Sequence, residues 1–260
     1  MALVCFASQK GSPGVTLTAL TVTAALPLVY GRRKVLVEAD ADGGSLAVRY
    51  QLGRQPGLVT LAAASRHGLG REDIWAHAQA LPGGLAAIVA PERADRASSV
   101  LATSAKALAP WLASLPDVDV IVDCGRLSPA SPALPFAHHA DAVFVVTRPV
   151  AEQVQPAAER ALALQGAGRR VAWVLIGERP YSAADVAEAT GIAVAAVLPD
   201  DPRSAEALLG GGSSSRLRRS PLVRAATSFA ALISAQIRPA EPDAAPAAPI
   251  NGARLAEVVA

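Results

Sequence analysis

The chain has 260 residues, 52% hydrophobic and 18% charged, which is enough for one large α/β domain with a buried core and too apolar for a disordered chain. Its 24 basic and 22 acidic residues leave a formal charge of +2, so no polyanionic partner is demanded and nucleic-acid contact would need a local basic patch. Cys5 and Cys124 both sit in apolar runs and read as reduced core thiols rather than a disulfide framework.

Residues 1–8 carry no basic n-region of a leader. The longest apolar run, 15–30, is interrupted by threonines and Pro27, and falls short of the ~20 apolar residues that span a bilayer. A cytoplasmic protein is expected. Strands are predicted at 3–7, 35–37, 85–90, 118–123, 142–147, 171–176 and 194–198. Helices are predicted from about residue 14, then at 58–65, 72–80, 98–115, 151–165, 183–190 and 221–237. Short continuous apolar strands alternating with helices are the pattern of a mostly parallel, twisted sheet covered on both faces. Gly210 opens a GGGSSS run that reads as a flexible surface loop, and the text after Arg238 is Pro/Ala-rich. The expected organisation is one domain over 1–238 and a disordered tail over 239–260.

The run Lys10-Gly11-Ser12-Pro13-Gly14-Val15-Thr16 joins the first strand to its helix. In an open α/β sheet a nucleotide phosphate binds at such a junction, against inward-turned backbone N–H groups and the positive end of the helix. Thr16 is placed to offer a hydroxyl to magnesium. Farther on, Glu38-Ala39-Asp40 leaves the second strand, and Asp123-Cys124-Gly125 closes an apolar strand.

Together these segments resemble the ParA/MinD family of P-loop ATPases, in the SIMIBI class, whose deviant Walker A motif reads K-G-G-x-G-K-T. The resemblance covers about residues 1–237. It implies a P-loop NTPase fold, ATP and Mg2+ as ligands, and a homodimer closed face to face by nucleotide. Residues 10–17 (Lys10, Gly11, Ser12, Pro13, Gly14, Val15, Thr16, Leu17) would cradle the phosphates, with Lys10 as the signature lysine that reaches the partner's nucleotide. Asp40 would orient the attacking water. Asp123, with Thr16, would hold magnesium. Pro199 and Asp200 match the loop that flanks the adenine. The chain departs from the pattern at Ser12, at Gly125 where proline is common, at Gly177 where a base-binding Asn is common, and above all at Val15, which stands where the second lysine binds the phosphates. A cation ~4 Å from a phosphate charge is worth up to about 4 kcal/mol at an effective dielectric near 20. Lys10 folding back, Arg126 or Arg148 are the candidates to replace it.

Three functions follow. The first is a nucleotide-dependent dimer switch, with weak ATPase activity (ATP and water to ADP and phosphate), that positions a chromosome, the division machinery or another cargo through an unnamed protein partner. The second, favoured by Val15, is a pseudo-ATPase scaffold. The third is a nonspecific DNA-binding module using Arg216, Arg218, Arg219 and Arg224, whose cluster before and within the last helix would give salt-sensitive contact with phosphates. Membrane targeting is not expected, because the apolar spacing at Leu255, Val258 and Val259 is too short and lacks a basic face. His77, His138 and His139 show no metal-ligand spacing, and the last two read as a helix end.

Overall fold

The apolar runs pair side by side because each can bury both of its faces. The computed structural model of the protein describes residues 2–11, 13–27, 32–212 and 215–237. The strands are β1 (Ala2–Ser8), β2 (Arg33–Glu38), β3 (Gln79–Ala80), β4 (Ala86–Ile88), β5 (Val118–Arg126), β6 (Ala142–Thr147), β7 (Val171–Ile176) and β8 (Val194–Leu198). They form one sheet in the order β3-β4-β2-β5-β1-β6-β7-β8, parallel throughout except for the short edge strand β3.

Helices cover both faces. Against one lie α1 (Val15–Ala25), α2 (Leu46–Arg49), α9 (Pro202–Leu209) and α11 (Pro221–Ile237), with α10 (Ser215–Arg218) against α9 and α11. Against the other lie α3 (Leu58–Ala64), α4 (Asp73–Ala76), α5 (Ala94–Ser114), α6 (Leu134–His139), α7 (Ala151–Gly166) and α8 (Ala183–Thr190). The strands alternate between the two cores: Phe6, Leu36, Ile121 and Phe144 face α1 and α11, while Cys5, Val37, Val122 and Val145 face α5 and α7. Phe229 of α11 meets Phe144 edge-on at 4.9 Å and Phe6 at 6.3 Å, which seats the last helix on the centre of the sheet. Each such buried ring contributes about 1.5–3 kcal/mol. Cys5 and Cys124 are free and buried, and their side chains share a hydrogen bond on the α5 face.

Most expected elements lie within a few residues of their predicted bounds. The predicted helix at 72–80 is a correction. Only Asp73–Ala76 is helical, and Gln79–Ala80 pairs antiparallel with β4. The Gln79 side chain also donates to the carbonyls of Gly53 and Pro56, which holds the segment extended. The small helices α2, α6, α9 and α10 were not predicted. Asp201 caps α9 by accepting from the Ser204 N–H at 3.1 Å, with Pro202 at its first position. Residues 238–260, including the expected tail, lie outside the described residues. Among the described residues no helix is long and apolar enough to cross a membrane.

The topology sets the position of the site. From β1 the chain crosses to β2 on one side, and from β5 it crosses to β6 on the other, so the strand order reverses around β1 and β5. Ligands of open α/β sheets bind in the crevice beyond the carboxyl ends of such strands.

Candidate functional site

Three neighbouring strands deliver their ends to this crevice. Asp123 of β5 is in register with Phe6 of β1 and with Glu38 of β2. The loop after β1 returns into α1 through Gly14, which has φ 99° and ψ 40°, the left-handed conformation that glycine adopts without penalty. Gly11, Gly14, Val15, Thr16 and Leu17 line a cleft of about 430 Å³ together with Asp40, Asp42, Ser45, Arg49, Gly125 and Arg126. Lys10 is exposed beside it, Pro13 is buried, and Ser12 lies outside the described residues.

Asp123 is wholly buried, beside Thr16 and Gly125 of the cleft lining. Burial pushes its carboxyl up to about 7, against the Thr16 hydroxyl and the Gly125 N–H, which favour the charged form; Glu38 and Asp40 push it further up. Its Oδ1 accepts from the Gly125 N–H at 3.0 Å, and its Oδ2 is buried without a well-formed hydrogen bond among the described residues. An orphaned carboxylate oxygen beside a hydroxyl suits a hard cation such as Mg2+, which takes one or two carboxylates and completes its shell with water and substrate phosphates. Among the described residues no three or more His, Cys, Asp or Glu side chains form a self-sufficient metal cage.

Asp40 is half-buried at the wall of the cleft, and burial raises its pKa. Its Oδ1 accepts from the Asp42 N–H at 2.9 Å, which tightens the turn after β2. Gly125 has φ 55°, and a Cβ on it would stand 2.0 Å from Asp40 Cγ. The absence of a side chain at Gly125 is therefore what lets the Asp40 carboxylate lie across the end of β5. Glu38, two residues before Asp40, is not among the residues lining the cleft. It is 1% exposed and accepts from the Ser45 and Leu46 N–H groups at 2.6 and 3.1 Å and from the Ala90 N–H at 2.9 Å. It braces α2 and the β4 exit; burial still raises its pKa.

Val15 is 7% exposed and belongs to the core under α1 while also touching the cleft. The two guanidinium groups lining the cleft are Arg49 and Arg126. Arg126 lies 3.9 Å from Asp42, and Arg148 is paired with Asp200 at 2.5 Å, so Arg148 is tied down elsewhere. Pro199 and Asp200 line a second cleft, with Arg148, Ile176 and Gly177. Gln153 links the two regions: its amide packs over Gly11, and its Oε1 accepts from the Arg148 N–H at 3.1 Å. Arg216, Arg218, Arg219 and Arg224 are exposed on and after α10 and line neither cleft. Sequence reasoning missed Arg49 and Ser45, because the four-residue helix that ends at Arg49 and follows Ser45 has no periodic signal.

No protein-family model and no curated protein matches the sequence. Solved structures do. A ParA family ATPase from Chlorobium tepidum superposes with a TM-score of 0.74 at 19% identity, covering 88% of this chain and 98% of that one. The septum site-determining protein MinD from Pyrococcus horikoshii, in complex with Mg-ADP, gives 0.71 at 17% identity over 92% and 98%. An ATP complex of a Cyanothece McdA variant gives 0.61 at 16% identity over 90% and 96%. With the strand order and the loop geometry above, the chain has the ParA/MinD-type P-loop NTPase fold.

Proposed function

We propose that the protein is a magnesium-nucleotide-dependent dimer switch of the ParA/MinD kind, acting in the positioning of a cargo. The observation that carries this reading is that Thr16 and Asp40 line a cleft closed by Gly14 and the first turn of α1, with the Asp123 carboxyl buried against the Thr16 hydroxyl and Gly125 of that lining. A bound Mg2+ would neutralise phosphate charge. Thr16 and Asp123 would hold it, directly or through water, and the α1 amides would bind phosphate oxygens. Asp40, at the wall, would hold the attacking water. Lys10 is exposed and forms no ion pair among the described residues, as a side chain destined for a partner subunit would be. Pro199 and Asp200 would flank the base. Support for a positioning role comes from what the similar structures are: a septum site-determining MinD, a MinC:MinD complex and a putative plasmid partition protein.

A scaffold without turnover is the second reading, and Val15 favours it: the position of the expected lysine is filled by a side chain embedded in the core. Calorimetric titration of Mg-ATP and Mg-ADP, with sedimentation in the same buffers, separates the two. The switch requires binding and a monomer-to-dimer shift with ATP. One species throughout, with no heat of binding, leaves the scaffold.

A further inference from the structure

The cleft lacks its usual lysine but not a cation. Among the guanidinium groups that line it, Arg126 shares its charge with Asp42 and Asp40. Arg49 faces the same cleft as Val15 and Thr16, and it makes no ion pair among the described residues. Arginine suits this task because its planar fork can bind two phosphate oxygens at once.

A four-residue helix on a loop would ordinarily hold such a side chain poorly. Here α2 is clamped at both ends. Glu38, buried in the sheet, accepts from the first N–H groups of the helix at 2.6 and 3.1 Å. Tyr50, just past its end, donates its hydroxyl to the Leu208 carbonyl at 2.9 Å. Leu46 and Ala47 are buried, so the helix is also packed against the α1 core. A buried carboxylate thus does not contact the ligand but fixes the element that presents a cation to it.

We propose that Arg49 binds the nucleotide phosphates in cis, replacing the cation that Val15 removes from the loop. The proposal rests on the nucleotide reading above. Its experiment uses titration of Mg-ATP into wild type, Arg49→Ala, Arg49→Lys, Arg126→Ala, Val15→Lys, and the double variant Val15→Lys with Arg49→Ala, each checked for an intact thermal transition.

The expected result is that Arg49→Ala weakens binding about ten- to a hundredfold, the range for one charged hydrogen-bonding group. Arg49→Lys should recover part of this, and Val15→Lys should restore affinity in the Arg49→Ala background while adding less to the wild type. Equal affinity of wild type and Arg49→Ala overturns the proposal. So does a loss confined to Arg126→Ala, or a gain from Val15→Lys of the same size in both backgrounds, since independent groups do not substitute for one another. Absence of any binding by wild type overturns the nucleotide reading itself and is read before the variants. Arg49 is exposed, so Arg49→Ala decides the matter even if Val15→Lys does not fold.

Discussion

The Asp40 carboxylate lies directly on the Cα of Gly125, so closely that a methyl group there would be 2.0 to 2.2 Å from its Cγ and oxygens. The two residues are 85 positions apart, Asp40 just after β2 and Gly125 near the end of β5, and are brought together by β2 and β5 running in register, with Ala39 N–H donating to the Asp123 carbonyl at 2.7 Å. Gly125→Ala must move the Asp40 turn and also hold a non-glycine residue at φ 55°. We expect it to destabilise the protein by about 1–3 kcal/mol. Adding Asp40→Ala should recover the part due to collision and leave the part due to backbone strain. Denaturant unfolding of the two single variants and the double variant measures both. Additive losses would mean that the contact carries no energy.

Asp123 makes stability depend on pH in a direction opposite to a salt-bridged aspartate. Its carboxyl stands at about 7 in the fold against 3.8 in an exposed chain. Between those values the folded protein holds a proton that the unfolded chain has released, so stability falls as pH rises from about 4 to about 7. Glu38 and Asp40 are shifted up as well and act in the same direction. Asp123→Asn should flatten this dependence and raise stability at pH 8 by roughly 1–3 kcal/mol. Thermal melts across that range test it. An unchanged slope in the variant would place the proton elsewhere.

On the proposed reading, magnesium held at this carboxylate would compete with the same proton. Mg-ATP binding should therefore strengthen from pH 6 to 7 by up to roughly tenfold and level off above. Titration at several pH values in matched salt reads this directly; flat affinity would show that Asp123 does not face the cation.

Lys10 is exposed, so Lys10→Ala should alter the monomer's stability by less than about 0.5 kcal/mol. If it reaches across a dimer, the variant should remain monomeric under Mg-ATP conditions that dimerise the wild type. Sedimentation velocity is the measurement, and an ATP-induced dimer of the variant would remove Lys10 from the interface.

The exposed cluster of Arg216, Arg218 and Arg219 should give DNA binding that declines steeply with salt. Changing all three to Ala should weaken binding to random duplex and reduce the salt slope by up to about 3, with little change in the thermal midpoint. Fluorescence anisotropy at several salt concentrations decides it; equal binding by the variant would assign the contact to other residues.

Much of this was legible in the amino-acid order. Strands such as Ala142–Thr147 and Val171–Ile176 declared themselves as apolar runs, because a strand buried on both faces must be apolar at every position. The loop from Lys10 to Thr16 and the acids at 40 and 123 were visible as local patterns at strand ends. What local pattern cannot carry is how separate segments meet. Glu38 and Asp40 look alike in sequence, yet one is sealed under Ser45, Leu46 and Ala90 and the other opens onto the cleft, because β2 ends between them. Gly125 looked like a departure until the fold laid Asp40 across it. Gln79 and Ala80 read as helical, and pairing with β4 decided otherwise, since backbone hydrogen bonds to a sheet edge outweigh a weak helical preference. Arg49 had no motif at all; the clamped helix α2 alone brings its charge to the cleft where Val15 has none.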